Sequence, residues 1–384
     1  MSSFLIIFFI VYTALNYYIF IRGWQAISHI PFLKPIYAAI FSFSALAYIA
    51  ARILNTNIPD LLYDILLWMG SLWFAFMLYF FLFILLIDIS RLLNHFFNIY
   101  PSFITNNYPA VKFVIIISVI LISCIVIMAG YFNTRIIKVN YQEIEISKKA
   151  SKLDELNVVL VADFHLTPVN NRGLCKEIVE KINALNADIV LMPGDILDDN
   201  VSMLKRRSIA KSLSEIKSKY GAFVSNGNHE FIIGVDEADK YLNELKMNIL
   251  RDSTMLIANS FYVLGREDRS ITSFTSKQRK SLKNILNDVD RNFPVIILDH
   301  TPSGLDEVVQ ENIELQLSGH SHHGQMFPLN YITKMIYKVS WGYLKKEKTQ
   351  FYVTCGVGTW GPPVRLGSDS EIVSVKIKFV DKEI

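Results

Sequence analysis

The stretch 319-GHSHHGQ-325 places three histidines within four residues of a chain that has eight. A single histidine is commonly a packed or surface side chain. Three in a glycine-flanked turn offer ring nitrogens to a metal or to a proton in transit. Four more short blocks offer atoms of the same kind: 163-DFH-165, 194-GDILDD-199, 227-GNHE-230 and 300-HTP-302. Carboxylate and amide oxygens suit hard divalent ions, and imidazole suits zinc, iron and nickel. The joint set is larger than one ion needs. It fits two ions about 3.5–4 Å apart that share a bridging carboxylate. Taken alone, Asp195 and Asn228 read as turn residues, and His300 before Thr-Pro as a capping or packing residue. The pattern as a whole assigns them to chemistry.

Ligands drawn from five places need a scaffold that delivers loop after loop to one edge. Each block follows a short apolar run rich in β-formers: 157-NVVLVA-162, 188-DIVLMP-193, 220-YGAFVS-225, 294-PVIILD-299 and 313-IELQLS-318. Between the runs lie amphipathic segments, among them 174–185, 204–217 and 238–246. That is βαβ order, with strands buried on both faces and working loops at the strand C-terminal ends. Two later runs, 350-QFYVTCGV-357 and 371-EIVSVKIKF-379, read as strands with no helix between them. The three cysteines, Cys124, Cys175 and Cys355, form neither a disulfide framework nor a C-x-x-C pair.

The first third of the chain is different material. Residues 1–133 carry five basic residues (Arg22, Lys34, Arg52, Arg91, Lys112) and three acidic ones (Asp60, Asp64, Asp88). Charge-free stretches run over 1–21, 35–51, 65–87 and 113–134. Each approaches the roughly 20 residues that cross a bilayer core. Aromatic residues cluster at their ends, where interfacial belts lie. The first run lacks the basic start and small-residue cleavage site of a signal peptide. The reading is a transmembrane domain of about four helices over 1–134 and a second domain over 135–384, in a bacterial inner or cell membrane. A formal net charge of +3 gives no footprint for nucleic acid, and none is expected as a partner.

In chain order the blocks read D-x-H, G-D-x-x-D, G-N-H-E, H and G-H-x-H. This resembles the calcineurin-like metallophosphoesterase superfamily, over roughly residues 155–380. With spans ahead of it, the chain is similar to the transmembrane members of that superfamily. The resemblance implies a four-layer α/β/β/α sandwich preceded by an all-α membrane domain. It implies two divalent ions (Mn, Fe, Zn or similar). One would be held by Asp163, His165, Asp195 and His322, the other by Asp195, Asn228, His300 and His320, with Asp195 bridging. It implies phosphoester or pyrophosphate hydrolysis by hydroxide formed on the metal pair, with Asn228 and His229 contacting the phosphate. Asp195 and His229 are then the catalytic residues, His229 protonating the leaving oxygen. Asp198 would stand behind the ligands. The family turn is usually G-H-x-H-G-G-Q. His323 replaces the first of its paired glycines and is expected to be a non-ligand that tolerates positive φ.

Two further features concern the substrate, expected to be a phosphorylated small molecule or a lipid-linked phosphate. The stretch 334-KMIYKVSWGYLKK-346 interleaves lysines with aromatic residues. It reads as a membrane-interface element or as an ordinary solvated segment. Arg365, in the Gly/Pro-rich 356–367, reads as a phosphate clamp or as a surface residue. The alternatives to a general phosphohydrolase are a pyrophosphatase for a lipid-linked nucleotide sugar of the UDP-2,3-diacylglucosamine type, and an inactive membrane binding module. Membrane lipid is the other expected partner. Placing Arg22, Lys34, Arg91 and Lys112 inside and Arg52 outside favours an external N-terminus and, after four spans, an external catalytic domain.

Overall fold

The computed structural model describes residues 3–381. The chain divides into two compact units, Met1–Phe132 with Gly361–Val364, and Asn133–Trp360 with Arg365–Ile384.

The first unit is helical: α1 (Ser3–Ala26), α2 (Leu33–Leu54), α3 (Asp60–Phe97), the single turn α4 (Ser102–Thr105) and α5 (Tyr108–Thr134). Four of these, α1, α2, α3 and α5, are long and apolar enough to cross a membrane. In α1, α3 and α5 the apolar residues lie all round the helix and not on one stripe, the pattern of a helix solvated by lipid. The interior shows how such helices pack without a hydrophobic drive between them. On α3, Gly70 lets the backbone of Tyr48 come so near that an added Cβ would lie 2.1 Å from Tyr48 N. Polar groups are matched inside: Trp73 Nε1 donates to Asn16 Oδ1 at 2.9 Å, and Asn16 Nδ2 donates to the Tyr12 carbonyl at 2.8 Å.

The second unit holds two six-stranded sheets. Its strands are β1 (Ile137–Ser147), β2 (Glu155–Leu160), β3 (Ile189–Pro193), β4 (Ala222–Ser225), β5 (Asn248–Ile249), β6 (Ser253–Ile257), β7 (Phe261–Gly265), β8 (Val295–Leu298), β9 (Leu315–Ser318), β10 (Gly342–Lys346), β11 (Thr349–Val353) and β12 (Ser370–Val380). The orders are β1-β12-β2-β3-β4-β5 and β10-β11-β9-β8-β7-β6. The central runs β2-β3-β4 and β7-β8-β9 are parallel.

Alternation along the strands builds the layers. Leu156, Val158 and Leu160 of β2 and Val373, Val375 and Ile377 of β12 meet Ile296, Leu298, Leu315 and Leu317 of the other sheet in one core. The alternate residues Val295, Ile297, Phe351 and Val353 face away and bury Leu282, Ile285, Leu305 and Val308 from short helices. Helix Arg172–Ala184 buries Leu174, Ile178 and Ile182, and helix Val235–Glu244 buries Ala238 and Leu242. The second unit is a four-layer α/β/β/α sandwich.

Five of these strands, β1, β5, β6, β7 and β10, have no counterpart in the sequence reading. β10 alternates half-buried and exposed residues at a sheet edge, so its pattern looks like loop or helix. β6 and β7 form an antiparallel pair joined through Ala258 and Asn259, both at positive φ. The amphipathic segment 204–217 is not one helix. It breaks after Val201–Arg206, where Ser208 takes φ 54° and Ile209 N donates to the Leu204 carbonyl. This closes the helix in the manner of a left-handed C-terminal cap.

Candidate metal centre

All five blocks leave the C-terminal ends of β2, β3, β4, β8 and β9 and converge. Ring nitrogens and carboxylate oxygens of Asp163, His165 and His322 lie within 4.8 Å of one another, as do those of Asp195, His300 and His320. In the first group His165 Nε2 is 2.9 Å from His322 Nε2, and His322 Nε2 is 3.8 Å from Asp163 Oδ1. In the second, His300 Nε2 is 3.2 Å from both Asn228 Oδ1 and His320 Nδ1, and the latter two are 3.0 Å apart. Asp195 Oδ2 reaches toward both, 3.0 Å from His300 Nε2 and 3.7 Å from His165 Nε2, and Asp195 also forms a third group with His165 and His229.

These spacings test whether the residues fit metal ions. Donors about 2.0–2.2 Å from a shared ion, at angles between octahedral and tetrahedral, must lie roughly 2.9–3.6 Å from one another. The observed separations fall in or close to that range. His165 Nε2 and His322 Nε2, 2.9 Å apart, are close enough to coordinate one cation together. Asp163 and Asp195 are buried, at 0% and 2% exposure, and Asp198 is at 5%. Three buried carboxylates need compensating positive charge. The donor set fits divalent metal.

The backbone is bent to make this geometry. Asp163, His165, Asp195, His320 and His322 all have positive φ, between 44° and 71°. Non-glycine residues held there mark places where the surrounding structure overrides local preference. Gly194 also turns with φ 82°. Gly227 and Gly319 do not. They supply space: a Cβ at Gly227 would lie 2.2 Å from Asp195 Oδ1, and one at Gly319 2.5 Å from Asp163 Oδ2. Of these three glycines, Gly194 alone serves its turn through positive φ.

Surrounding groups orient the donors. His300 Nδ1 donates to the Pro193 carbonyl at 2.8 Å, which fixes the ring with Nε2 facing the centre. Asp163 accepts the His320 N–H on both oxygens, at 3.0 and 3.1 Å. Asp198 Oδ1 pairs with His229 Nδ1 at 2.6 Å, and its Oδ2 lies 3.3 Å from His165 Nδ1.

The charges follow from burial and from these neighbours. Burial alone would raise Asp195, but His300, His229 and His165 outweigh it and hold the carboxyl well below the usual range. Burial, helped by His165 and Arg365, keeps His322 well below an ordinary histidine. Burial and His300 push His320 down to about 4. Both rings are therefore neutral at physiological pH, with lone pairs available for coordination. His229 differs. Burial would lower it, yet the carboxylates of Asp198 and Asp195 raise it to about 9.

Arg365 is neither a phosphate clamp nor a surface residue. It is fully buried. Its Nη2 donates to the carbonyls of Cys355, Gly356 and Gly358 at 2.7, 3.0 and 2.6 Å, and its Nη1 donates to Ser368 Oγ at 2.9 Å. The guanidinium pins the loop after β11, whose Gly358 N donates to the Asp163 carbonyl, and lies 3.3 Å from His322 Nδ1. A hydrophilic residue in a Gly/Pro-rich loop carries no sequence mark of such burial. His323 takes φ 48°, is buried, and pairs its Nδ1 with Ser340 Oγ at 3.0 Å, outside both donor groups.

Sequence reasoning missed Glu230. Its carboxylate is fully buried and accepts four backbone N–H groups: Asp195 and Gly227 on Oε2, at 3.0 and 2.8 Å, and Ile196 and Leu197 on Oε1, at 2.7 and 2.9 Å. Its place as last letter of 227-GNHE-230 was the available signal. Glu230→Gln turns an NH2 group toward two of these donors, leaving them unmet at about 1–3 kcal/mol each. The thermal midpoint of the full chain in detergent is expected to fall, with weaker retention of divalent metal. An unchanged midpoint would show that the four bonds carry no net stability.

Residues 156–324 match the family model for calcineurin-like phosphoesterase. The chain is 33% identical to an uncharacterized metallophosphoesterase of Helicobacter pylori, over 59% of this chain and 61% of that protein. It is 32% identical to a transmembrane protein with metallophosphoesterase domain of Danio rerio, over 62% of this chain and 56% of that protein. It is 28% identical to an uncharacterized metallophosphoesterase of Aquifex aeolicus, over 65% of this chain and 95% of that protein. The match spans about three fifths of the length of the first two relatives. The second unit of this chain therefore carries a calcineurin-like phosphoesterase domain over residues 156–324.

Proposed function

We propose that the chain is a membrane-embedded phosphohydrolase whose centre holds two divalent ions and cleaves phosphoester or pyrophosphate bonds. The observation that carries this is Asp195 Oδ2, within reach of both donor groups. Divalent ions bound there would acidify a water and polarise a phosphoryl oxygen. Asp163, His165 and His322 would hold one ion, Asn228, His300 and His320 the other, and Asp195 both. His229 is buried beside this set, its backbone N–H fixed on Asp195 Oδ1 at 2.9 Å and its ring fixed by Asp198. A protonated ring there would donate to the leaving oxygen as the P–O bond breaks. Trp360, 6.2 Å from the His229 ring and half exposed, would stand at the mouth. The test is hydrolysis of a panel of phosphomonoesters, phosphodiesters and nucleotide pyrophosphates by the full chain, after chelation and after Mn2+ is restored. Turnover only after restoration is expected, and a chain inert to the whole panel would favour the inactive module.

Asp198 is the positioning residue for His229, and its charge sets when the acid is available. The donor form exists below the raised pKa and is lost as pH rises through it. Asp198→Asn removes the negative charge, so the ring loses its proton at lower pH. The basic limb of kcat against pH should move toward acid. Cations at the centre would lower both limbs together, so the difference between variant and wild type keeps its sign. Loss of a group that orients a metal-site side chain typically costs about 10–100-fold in addition. A basic limb that stays in place would remove His229 as the titrating acid.

A specific observation favours the narrower reading, an amphiphilic, lipid-linked pyrophosphate. Helix Leu329–Ile336 follows the histidine turn closely and buries none of its residues, leaving Tyr331, Ile332, Met335 and Ile336 exposed. Such a face suits an acyl chain or a bilayer surface better than water. A cytoplasmic nucleotide-sugar lipid would need the opposite orientation to the external one favoured by the basic residues. Fusions of alkaline phosphatase and green fluorescent protein after Lys152 separate the two. Phosphatase activity is expected, and a fluorescent, phosphatase-silent fusion would refute the external placement and raise the nucleotide-sugar reading.

A further inference from the structure

The helical unit has an open cleft of about 920 Å3 lined by α1, α2, α3 and α5. That is at the upper end of the roughly 300–1,000 Å3 typical of small-molecule sites. Ile19, Phe41, Trp73, Phe80, Ile116 and Ile120 are among its walls. One end is of another character, being lined by Arg22, Asp88, Arg91 and Lys112. Asp88 Oδ2 pairs with Arg22 Nη2 at 2.6 Å, and Asp88 Oδ1 accepts from Arg91 Nη1 at 3.3 Å. One carboxylate against three cations leaves an excess of two positive charges. Arg22 Nε is buried and meets no acceptor among the described residues. Lys112 rests over the Tyr108 ring, 4.5 Å from its centroid. These basic residues sit at the C-terminal ends of α1 and α3 and the N-terminal end of α5, the level at which a spanning helix meets headgroups.

We propose that this cleft is a binding site for one anionic phospholipid drawn from the surrounding bilayer. Its phosphate would lie among Arg22, Arg91 and Lys112 and its acyl chains between α5 and the other three helices. The charge excess and the Nε donor left free while Nη1 donates to Gln25 Oε1 and Nη2 to Asp88 call for an anion with several oxygen acceptors. The apolar wall calls for hydrocarbon. A helix from a second copy of this chain would fill the apolar volume but bring no anion to the charged end. Free phosphate would satisfy the charged end and leave the apolar volume empty. The proposal does not depend on the reading of the metal centre.

The experiment is native mass spectrometry of the full chain, delipidated in mild detergent and titrated with phosphatidylglycerol or phosphatidylcholine. Wild type is expected to retain phosphatidylglycerol roughly tenfold more tightly, the scale of one charge-assisted hydrogen bond. The double variant Arg22→Gln, Lys112→Gln should lose that preference, with Asp88 still paired to Arg91. Ile116→Trp, which fills the apolar part and leaves the charges, should weaken both lipids and so serves where the double variant does not fold. Equal affinity for the two lipids, preference retained in the double variant, displacement of lipid by inorganic phosphate, or a lipid-free dimer that Ile116→Trp dissociates would each overturn the proposal.

Discussion

Asp195→Asn is expected to abolish metal-dependent phosphoester hydrolysis while leaving the helical unit folded. The substitution is nearly isosteric, but it replaces the carboxylate whose Oδ2 reaches toward both donor groups by an amide with half the acceptor capacity and no charge. It also takes away the carboxylate that His300, His229 and His165 hold ionised. Changes to residues one step removed from a metal already cost about 10–100-fold. Loss of a ligand shared by two ions should exceed that. Metal analysis should show the variant retaining less than wild type, and helical circular dichroism should be unchanged. Full Mn2+-dependent turnover in the variant would remove Asp195 from the bridge.

The second large effect is that of His229→Ala. A positioned proton donor contributes about 10²–10⁴-fold. The loss should depend on the leaving group: close to the full factor for an alkyl phosphate, whose oxygen must be protonated as it departs, and much smaller for a p-nitrophenyl ester. Metal content should be retained. Equal slowing of the two substrates would make His229 a phosphate contact and not an acid. The Asp198 pair and the position of His229 beside Asp195 give the ring both of the attributes this role needs, a raised pKa and a fixed direction.

Much of the centre was legible because its residues are short, polar and placed directly after apolar β-runs. Asp163, His165, Asp195, Asn228, His300, His320 and His322 could be assembled from five blocks without knowing any distance. What stayed hidden depends on side chains reaching across the fold. Arg365 is buried beneath a loop that its own guanidinium organises, and no local pattern separates that from a surface arginine. Glu230 accepts four N–H groups of two different turns, a role visible only once those turns are side by side. The glycines could be placed in sequence, but only geometry distinguishes positive φ at Gly194 from the need for space at Gly227 and Gly319. In the fold, the buried parallel strands announced themselves by continuous apolar runs. The edge strands β10 and β6 did not, because partial exposure breaks the run that marks a strand; β7, a buried run parallel to β8, is the exception, missed although 261-FYVLG-265 is apolar.

The paired centre itself is tested most directly by electron paramagnetic resonance of the full chain, stripped of metal and titrated with Mn2+. Asp195 within reach of both donor groups predicts two ions per chain and an exchange-coupled spectrum that grows in as the second ion binds. In Asp195→Asn the coupling should disappear. A wild-type chain that saturates with one ion and shows only the six-line spectrum of isolated Mn2+ would contradict the two-ion centre.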